Sequence, residues 1–181
     1  MKHAAALLVT LWAVSFLHAE SESPGPAPTT DRVGFPTDYE QRFTVLRTVN
    51  KPAEHKVVTV YGNTLAASIT NRAQLPYPYG SVLAMETATV LLDPQGEPML
   101  DAKGVVRKKE IVGLHVSRRE SGFGEAYGKN RAGEWEFVEY KPDGTYITPP
   151  NRSASCAKCH VKAGVLRDFV YRGRLAIEEG Q

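Results

Sequence analysis

Cysteine is scarce in this chain: two residues in 181, both within four consecutive positions near the C-terminal end. That is too few for a disulfide scaffold. Charge of one sign is also lacking, since 22 Lys+Arg oppose 20 Asp+Glu for a formal net charge of +2. Such a balance leaves no electrostatic footprint for nucleic acid. Long apolar runs are missing apart from one at the start, and there is neither an internal repeat nor a low-complexity tract beyond a short Pro-containing stretch. What is there is ordinary: 42% hydrophobic and 23% charged residues. That composition excludes collagen-like, disordered and coiled-coil chains. The length allows one domain with a core large enough to fold without many staples.

The single apolar run has the layout of a secretory signal. Met1-Lys2-His3 gives a short positive start, residues 4–17 carry no charge, and His18-Ala19 precedes the polar Glu20-Ser21-Glu22-Ser23. The run is short for a membrane span, so cleavage after Ala19 and export to the periplasm are expected, with no membrane association afterwards. Residues 20–34, with Pro24-Gly25-Pro26-Ala27-Pro28, read as a flexible leader. The domain is expected over 35–175, with a tail at 176–181.

Within the domain, 35–43 read as a short helix opened by Pro36 or Thr37, with Tyr39 and Phe43 on one face. The β-branched and aromatic run 57–61 predicts a strand, Gly62-Asn63 breaks it, and Leu65, Ala66 and Ile69 space a helix over 64–72. Pro76-Tyr77-Pro78-Tyr79-Gly80 makes a rigid turn, and a long strand follows over 81–93. Asp93-Pro94-Gln95-Gly96 and Pro142-Asp143-Gly144 carry turn chemistry. Strands are expected over 105–116 and 134–141, the second with Trp135 and Phe137 on one face, and a last helix over 153–162. The class this predicts is α+β, a mainly antiparallel sheet with a few helices.

Chemistry begins with Cys156-Ala157-Lys158-Cys159-His160, the spacing of covalent haem attachment. Two thiols on one helical turn can each add across a vinyl group of one haem, and the adjacent imidazole then reaches the iron as proximal ligand. A redox dithiol needs only the cysteines, but in a thioredoxin-like βαβ setting that is absent here. A zinc site wants four ligands, and no second Cys/His pair completes it. A plain disulfide would leave His160 a coincidence. One covalent haem c, attached outside the cytoplasm, accounts for both the motif and the signal.

Function then turns on the sixth iron position. Besides His160, the exported chain offers Met85, Met99, His55 and His115. A Met or a second His there makes a closed electron carrier, whereas an open position makes a small-molecule binder or a catalyst. Met99, near Gly96 and Pro98, reads as surface, and His55, between Glu54 and Lys56, as solvated. Met85 and His115 sit mid-strand, where side chains project into a pocket, although a lone strand Met ordinarily fills core. Gly113-Leu114-His115-Val116 places His115 on the opposite pleat from Leu114, so His115 is the candidate distal ligand or acid/base. Arg152 and Lys158 flank the haem helix as propionate partners or solvated charges. Phe123, Tyr127, Trp135 and Phe137 are candidate haem walls.

Taken in order, Phe35-Pro36-x-x-Tyr39, Tyr61-Gly62-Asn63, Gly80-Ser81-Val82, Glu134-Trp135-Glu136-Phe137, Cys156 to His160 and Asp168-Phe169-Val170 resemble the cytochrome P-460 family, which includes the β-sheet cytochromes c′-beta. The resemblance covers about residues 35–171. It implies an antiparallel β domain, a homodimer, one haem c on a Cys-x-x-Cys-His helix, and hydroxylamine oxidation or nitric oxide binding. In the hydroxylamine-oxidising members a strand Lys forms an extra link to the porphyrin, and that position falls on Met85. Their distal carboxylate falls on His115 and their distal Arg on Val58. These replacements point away from oxidase activity and toward electron transfer or small-ligand binding. A haem oxidoreductase acting on hydroxylamine, another small nitrogen compound or peroxide is the alternative. The redox partner is not legible.

Overall fold

The computed structural model describes residues 25–173 and 175; the expected signal at 1–19, residues 20–24 and the expected tail at 176–181 lie outside the described residues. Six strands form one sheet in chain order, each antiparallel to the next: β1 (Thr44–Lys51), β2 (Lys56–Gly62), β3 (Val82–Val90), β4 (Lys108–Arg119), β5 (Trp135–Tyr140) and β6 (Tyr146–Thr148). Three short α-helices accompany it, α1 (Tyr39–Arg42), α2 (Thr64–Ala67) and α3 (Ala154–Val161). This is the expected α+β class, with the motif helix near the C-terminal end. Longer connections over 63–81, 91–107 and 120–134 join β2 to β3, β3 to β4 and β4 to β5, and in the first turn of the β3–β4 connection the Asp93 carboxylate accepts the Gln95 and Glu97 amides at 2.9 Å.

Two strands have no counterpart in the sequence reading. In β1 only Leu46 and Val49 are even half-buried, because it is an exposed edge strand with no apolar alternation to detect. β6 is only three residues long. The helix expected over 64–72 stops at Ala67. Asn63 caps it, its side-chain oxygen accepting the Ala66 amide at 3.0 Å, but Asn71 and Gln74 form a second capping box that starts a separate 3-10 turn at Arg72–Gln74.

The sheet has two covered faces. On the front, Val60, Leu83, Tyr77, Trp135, Phe137, Ala157 and Val170 form the larger cluster. On the back, Tyr39, Tyr61, Ala84, Leu114, Val116, Val138 and Tyr140 form another, together with Val33. The second half of the expected leader therefore belongs to the domain. Val33 is 3% exposed, and the Tyr140 hydroxyl donates to the Asp31 carboxylate at 2.7 Å. Arg32 pairs with Glu136, a carboxylate that is buried on β5 and needs a counter-charge.

Candidate functional site

Directly paired strand residues share a face, and one such row crosses the sheet: Arg47, Val60, Met85, His115, Glu139 and Thr148, from β1 to β6. Helix α3 packs over the front of this row, with Cys156 and Ala157 in the front cluster. Its last turn carries His160, whose Nε2 lies 3.2 Å from Nε2 of His115, with the two rings only 9° from parallel. The Phe137 ring braces both, 4.1 Å from the His160 centroid and 6.1 Å from that of His115.

The orientation of His160 is fixed from behind. Its Nδ1 lies 2.7 Å from the Phe169 carbonyl oxygen. A carbonyl can only accept, so Nδ1 carries the proton and the Nε2 lone pair is aimed at His115. Asp168 and Phe169 present that carbonyl from left-handed backbone, φ 45° and 59°. The Asp168 carboxylate stabilises the turn by accepting the Tyr77 amide at 2.9 Å, with Arg119 3.6 Å away. The Tyr171 ring stands edge-on to His160 at 5.4 Å, and its hydroxyl donates to the Cys159 carbonyl at 3.1 Å.

Electrostatics keep these donors neutral. Burial pushes the His115 imidazole down to about 4, and burial followed by the neighbouring His115 pushes His160 down to about 3. Neutral imidazole is the form that ligates a metal. Burial first, then the charge of Glu139, pushes the Cys156 thiol up to about 11. A reactive dithiol needs the opposite shift, which counts against a redox-dithiol role. Beside the two imidazoles lies a small cavity of about 40 Å³, lined by Val60, Leu83, Met85 and Val170 among others.

Of the candidate axial donors, the structure brings His115 and Met85 to this cavity. Met99 is 36% exposed and His55 is exposed, outside it. Three of the four candidate walls make no ring contact with the imidazoles, although Tyr127 and Trp135 share the front cluster with Phe137. Phe123 lies under Arg32 at 4.4 Å, and Trp135 packs edge-on against Tyr77 at 5.6 Å. Tyr127 bonds Ser153 at 2.9 Å and accepts the Phe137 amide at 3.2 Å, tying α3 to β5. Only Phe137 of the four stacks on the imidazoles. The Phe169 carbonyl, Tyr171 and Arg172 escaped the sequence reading; Asp168-Phe169-Val170 marked the place, but a backbone acceptor has no signature of its own.

Two thiols three residues apart, an aimed imidazole lone pair and a facing neutral imidazole make up the donor set of a haem c. Among the described residues no group of three His, Cys, Asp or Glu could hold a metal ion, so a zinc site is not assembled. The family model for Cytochrome P460 matches residues 36–172. The chain belongs to the cytochrome P460 family. Membership implies a c-type haem protein, with haem as the expected partner and metal binding through its iron. A search of curated proteins returns no match. Where the resemblance puts a Lys in the hydroxylamine-oxidising members of the P460 family, this chain has Met85, opposite His115 on the adjacent strand. The resemblance puts their distal Arg at Val58, in register with Thr87 on β3. No helix among the described residues is long and apolar enough to cross a membrane.

Proposed function

We propose that this protein is an exported monohaem c-type cytochrome that carries electrons, with nitric oxide or another small ligand as a competitor for its iron. The observation that carries the reading is the approach of the His115 and His160 Nε2 atoms to 3.2 Å, ring planes nearly parallel. Haem c, when bound, supplies a one-electron iron couple and a site for diatomic ligands. On this reading Cys156 and Cys159 would hold the haem through thioethers and His160 would bind its iron, with Nε2 freed for that role by the Phe169 carbonyl on Nδ1. His115 would be the second imidazole to hold the iron, with Met85 beside it in the same cavity. Neutral, stacked against Phe137 and carried on a central strand, His115 has little room to swing away. Maturation in the periplasm agrees with the layout of residues 1–23, and the resemblance adds a homodimer.

Spectroscopy of the haem-loaded protein in both oxidation states is the test. Low-spin ferric and ferrous spectra and slow carbon monoxide binding are expected. His115→Ala becomes high-spin and binds carbon monoxide at once, while Met85→Leu leaves the spectrum unchanged. A wild-type ferrous protein that is already high-spin removes the axial role of His115. Robust turnover of hydroxylamine with an electron acceptor would replace the carrier reading with the oxidoreductase one.

A further inference from the structure

Cationic side chains gather at the end of the site away from the cysteines. Arg47 stands opposite Val60 on β1, at a register slip between Val45 and Arg47. Such a bulge re-aims side chains, and here Leu46 also packs against the front cluster, next to Gly62. The stem of Arg47 lies against Gly173, which follows Arg172 in the chain. Arg172 donates to the Ile69 carbonyl and lies 3.4 Å from both the Ala66 carbonyl and the Tyr77 hydroxyl. Its guanidinium is thus fixed by neutral acceptors, and no carboxylate among the described residues forms an ion pair with it. Arg172 lines the cavity beside His115 and His160, and with Arg47 and Arg167 it lines an adjoining open cavity. Neither cavity is lined by an Asp or Glu among the described residues.

The other end of the row belongs to the cysteines. There Thr148 donates to Glu139 at 3.0 Å, and the charge of Glu139 reaches Cys156. A haem joined to protein through its two vinyl-bearing pyrroles carries both propionates on the opposite edge. With Cys156 at the β5 end and the imidazoles of His115 and His160 at the middle, that edge would face β2 and β1. We propose that Arg47 and Arg172 bind the propionate carboxylates of the haem. The assignment rests on the haem reading above. It displaces Arg152 and Lys158, which belong to the segment that carries the cysteines. Guanidinium forks pair carboxylates in two parallel hydrogen bonds, and their charge favours the ferrous state by offsetting the propionates.

The test uses full-length protein matured in a host competent for c-type haem, in wild-type, Arg47→Gln and Arg47→Lys forms, with Arg172→Lys as a milder change at the residue that also buttresses the fold. A pyridine haemochrome spectrum first reports the two thioethers, and its failure sinks the haem reading, separately from this proposal. With the haem intact, Arg47→Gln shifts the reduction equilibrium toward ferric by roughly three- to tenfold, up to about 59 mV for a one-electron couple. Arg47→Lys recovers most of that, and Arg172→Lys moves the equilibrium the same way as Arg47→Gln. An unchanged potential in Arg47→Gln overturns the assignment. Inorganic phosphate added to the wild type is expected to produce no saturable shift; a saturable shift abolished by Arg47→Gln would mean that the arginines take a free anion instead. Replacing Glu178 and Glu179 by Gln leaves the potential unchanged, whereas a shift as large as that of Arg47→Gln would assign the arginines to the tail and overturn the proposal.

Discussion

Lys108→Met probes what holds the two strands that carry Met85 and His115. Glu86 follows Met85 on β3 and is completely buried on the back of the sheet. Its Oε1 lies 2.5 Å from Lys108 Nζ, and its Oε2 accepts the Tyr39 hydroxyl at 2.5 Å. Lys108 also donates to the Tyr61 hydroxyl at 2.9 Å. Taking away the ammonium leaves a buried carboxylate with one phenol, and breaking a buried pair this way costs about 3–5 kcal/mol. Tyr39 still offsets part of the charge, so the lower end, about 3 kcal/mol, is expected. In a domain of this size each kcal/mol shifts Tm by about 2–4 °C, giving a fall of roughly 6–12 °C. Glu86→Gln is milder, at about 1–2 kcal/mol, because the amide oxygen still accepts from Tyr39 and the partly exposed Lys108 keeps Glu40 at 3.4 Å and water.

Urea unfolding of the haem-loaded variants measures both costs, with an unchanged m-value as the control for two-state behaviour. The order is the decisive result: a Lys108→Met cost no larger than that of Glu86→Gln would refute the reasoning. The same groups set an alkaline limit. Burial alone would lower Lys108, but its hydrogen bonds to Glu86 and Tyr61 and the Glu86 charge outweigh it and raise the ammonium above its usual 10.5. Burial and the bond to Glu86 likewise raise Tyr39. Both groups keep their protons in the folded chain after the unfolded chain has released them. Stability is therefore complete below about pH 10 and falls as pH rises beyond it, less steeply in Lys108→Met.

Phe137→Ala empties the brace between His115 and His160; it should cost about 3–5 kcal/mol in urea unfolding and broaden the axial-ligand spectrum, whereas a loss under about 1 kcal/mol would mean the ring is not packed as described. Asp168→Asn keeps an acceptor for the Tyr77 amide and removes the charge facing Arg119. A cost of about 1–2 kcal/mol is expected, with faster exchange of the His160 Nδ1 proton by NMR, and a proton as slow as in the wild type would detach the Asp168 turn from the orientation of His160. Gly124→Ala forces a side chain onto φ 81° backbone with its Cβ 2.6 Å from the Gly133 carbonyl, so soluble yield should drop sharply; wild-type yield and melting would contradict that contact.

The parts of this structure that show in sequence are those whose signal is local. Residues 57–61 are apolar enough to declare a central strand, and the segment around Cys156 and His160 declares its helix. The pleat argument at Leu114 and His115 also holds: Leu114 faces the back cluster while His115 faces His160. What does not show depends on partners far along the chain. β1 is exposed and polar, and its pairing is set by β2. Val33 and Arg32 look like linker residues until Tyr140 and Glu136, more than a hundred positions on, give them something to cover. Arg47 is an unremarkable surface charge in sequence; a one-residue register slip and a chain return at Gly173 bring it beside Arg172.

The pairing of Met85 with His115 bears most directly on function. Both lie on the front of neighbouring strands in one register, so both reach the cavity, and a haem protein with either as its sixth ligand would be low-spin. Geometry separates them: His115 Nε2 faces His160 Nε2 and its ring stacks with Phe137, whereas Met85 packs against the front cluster. The two ligations also differ in consequence, because a Met ligand raises the haem potential relative to other axial choices. On the bis-imidazole reading Met85→Leu leaves the potential near the wild-type value. His115→Ala opens the iron to small ligands unless Met85 can take its place, in which case the potential rises. A potential that falls in Met85→Leu while the spectrum loses a thioether-ligated band would assign the sixth position to sulfur and return His115 to the role of proton donor.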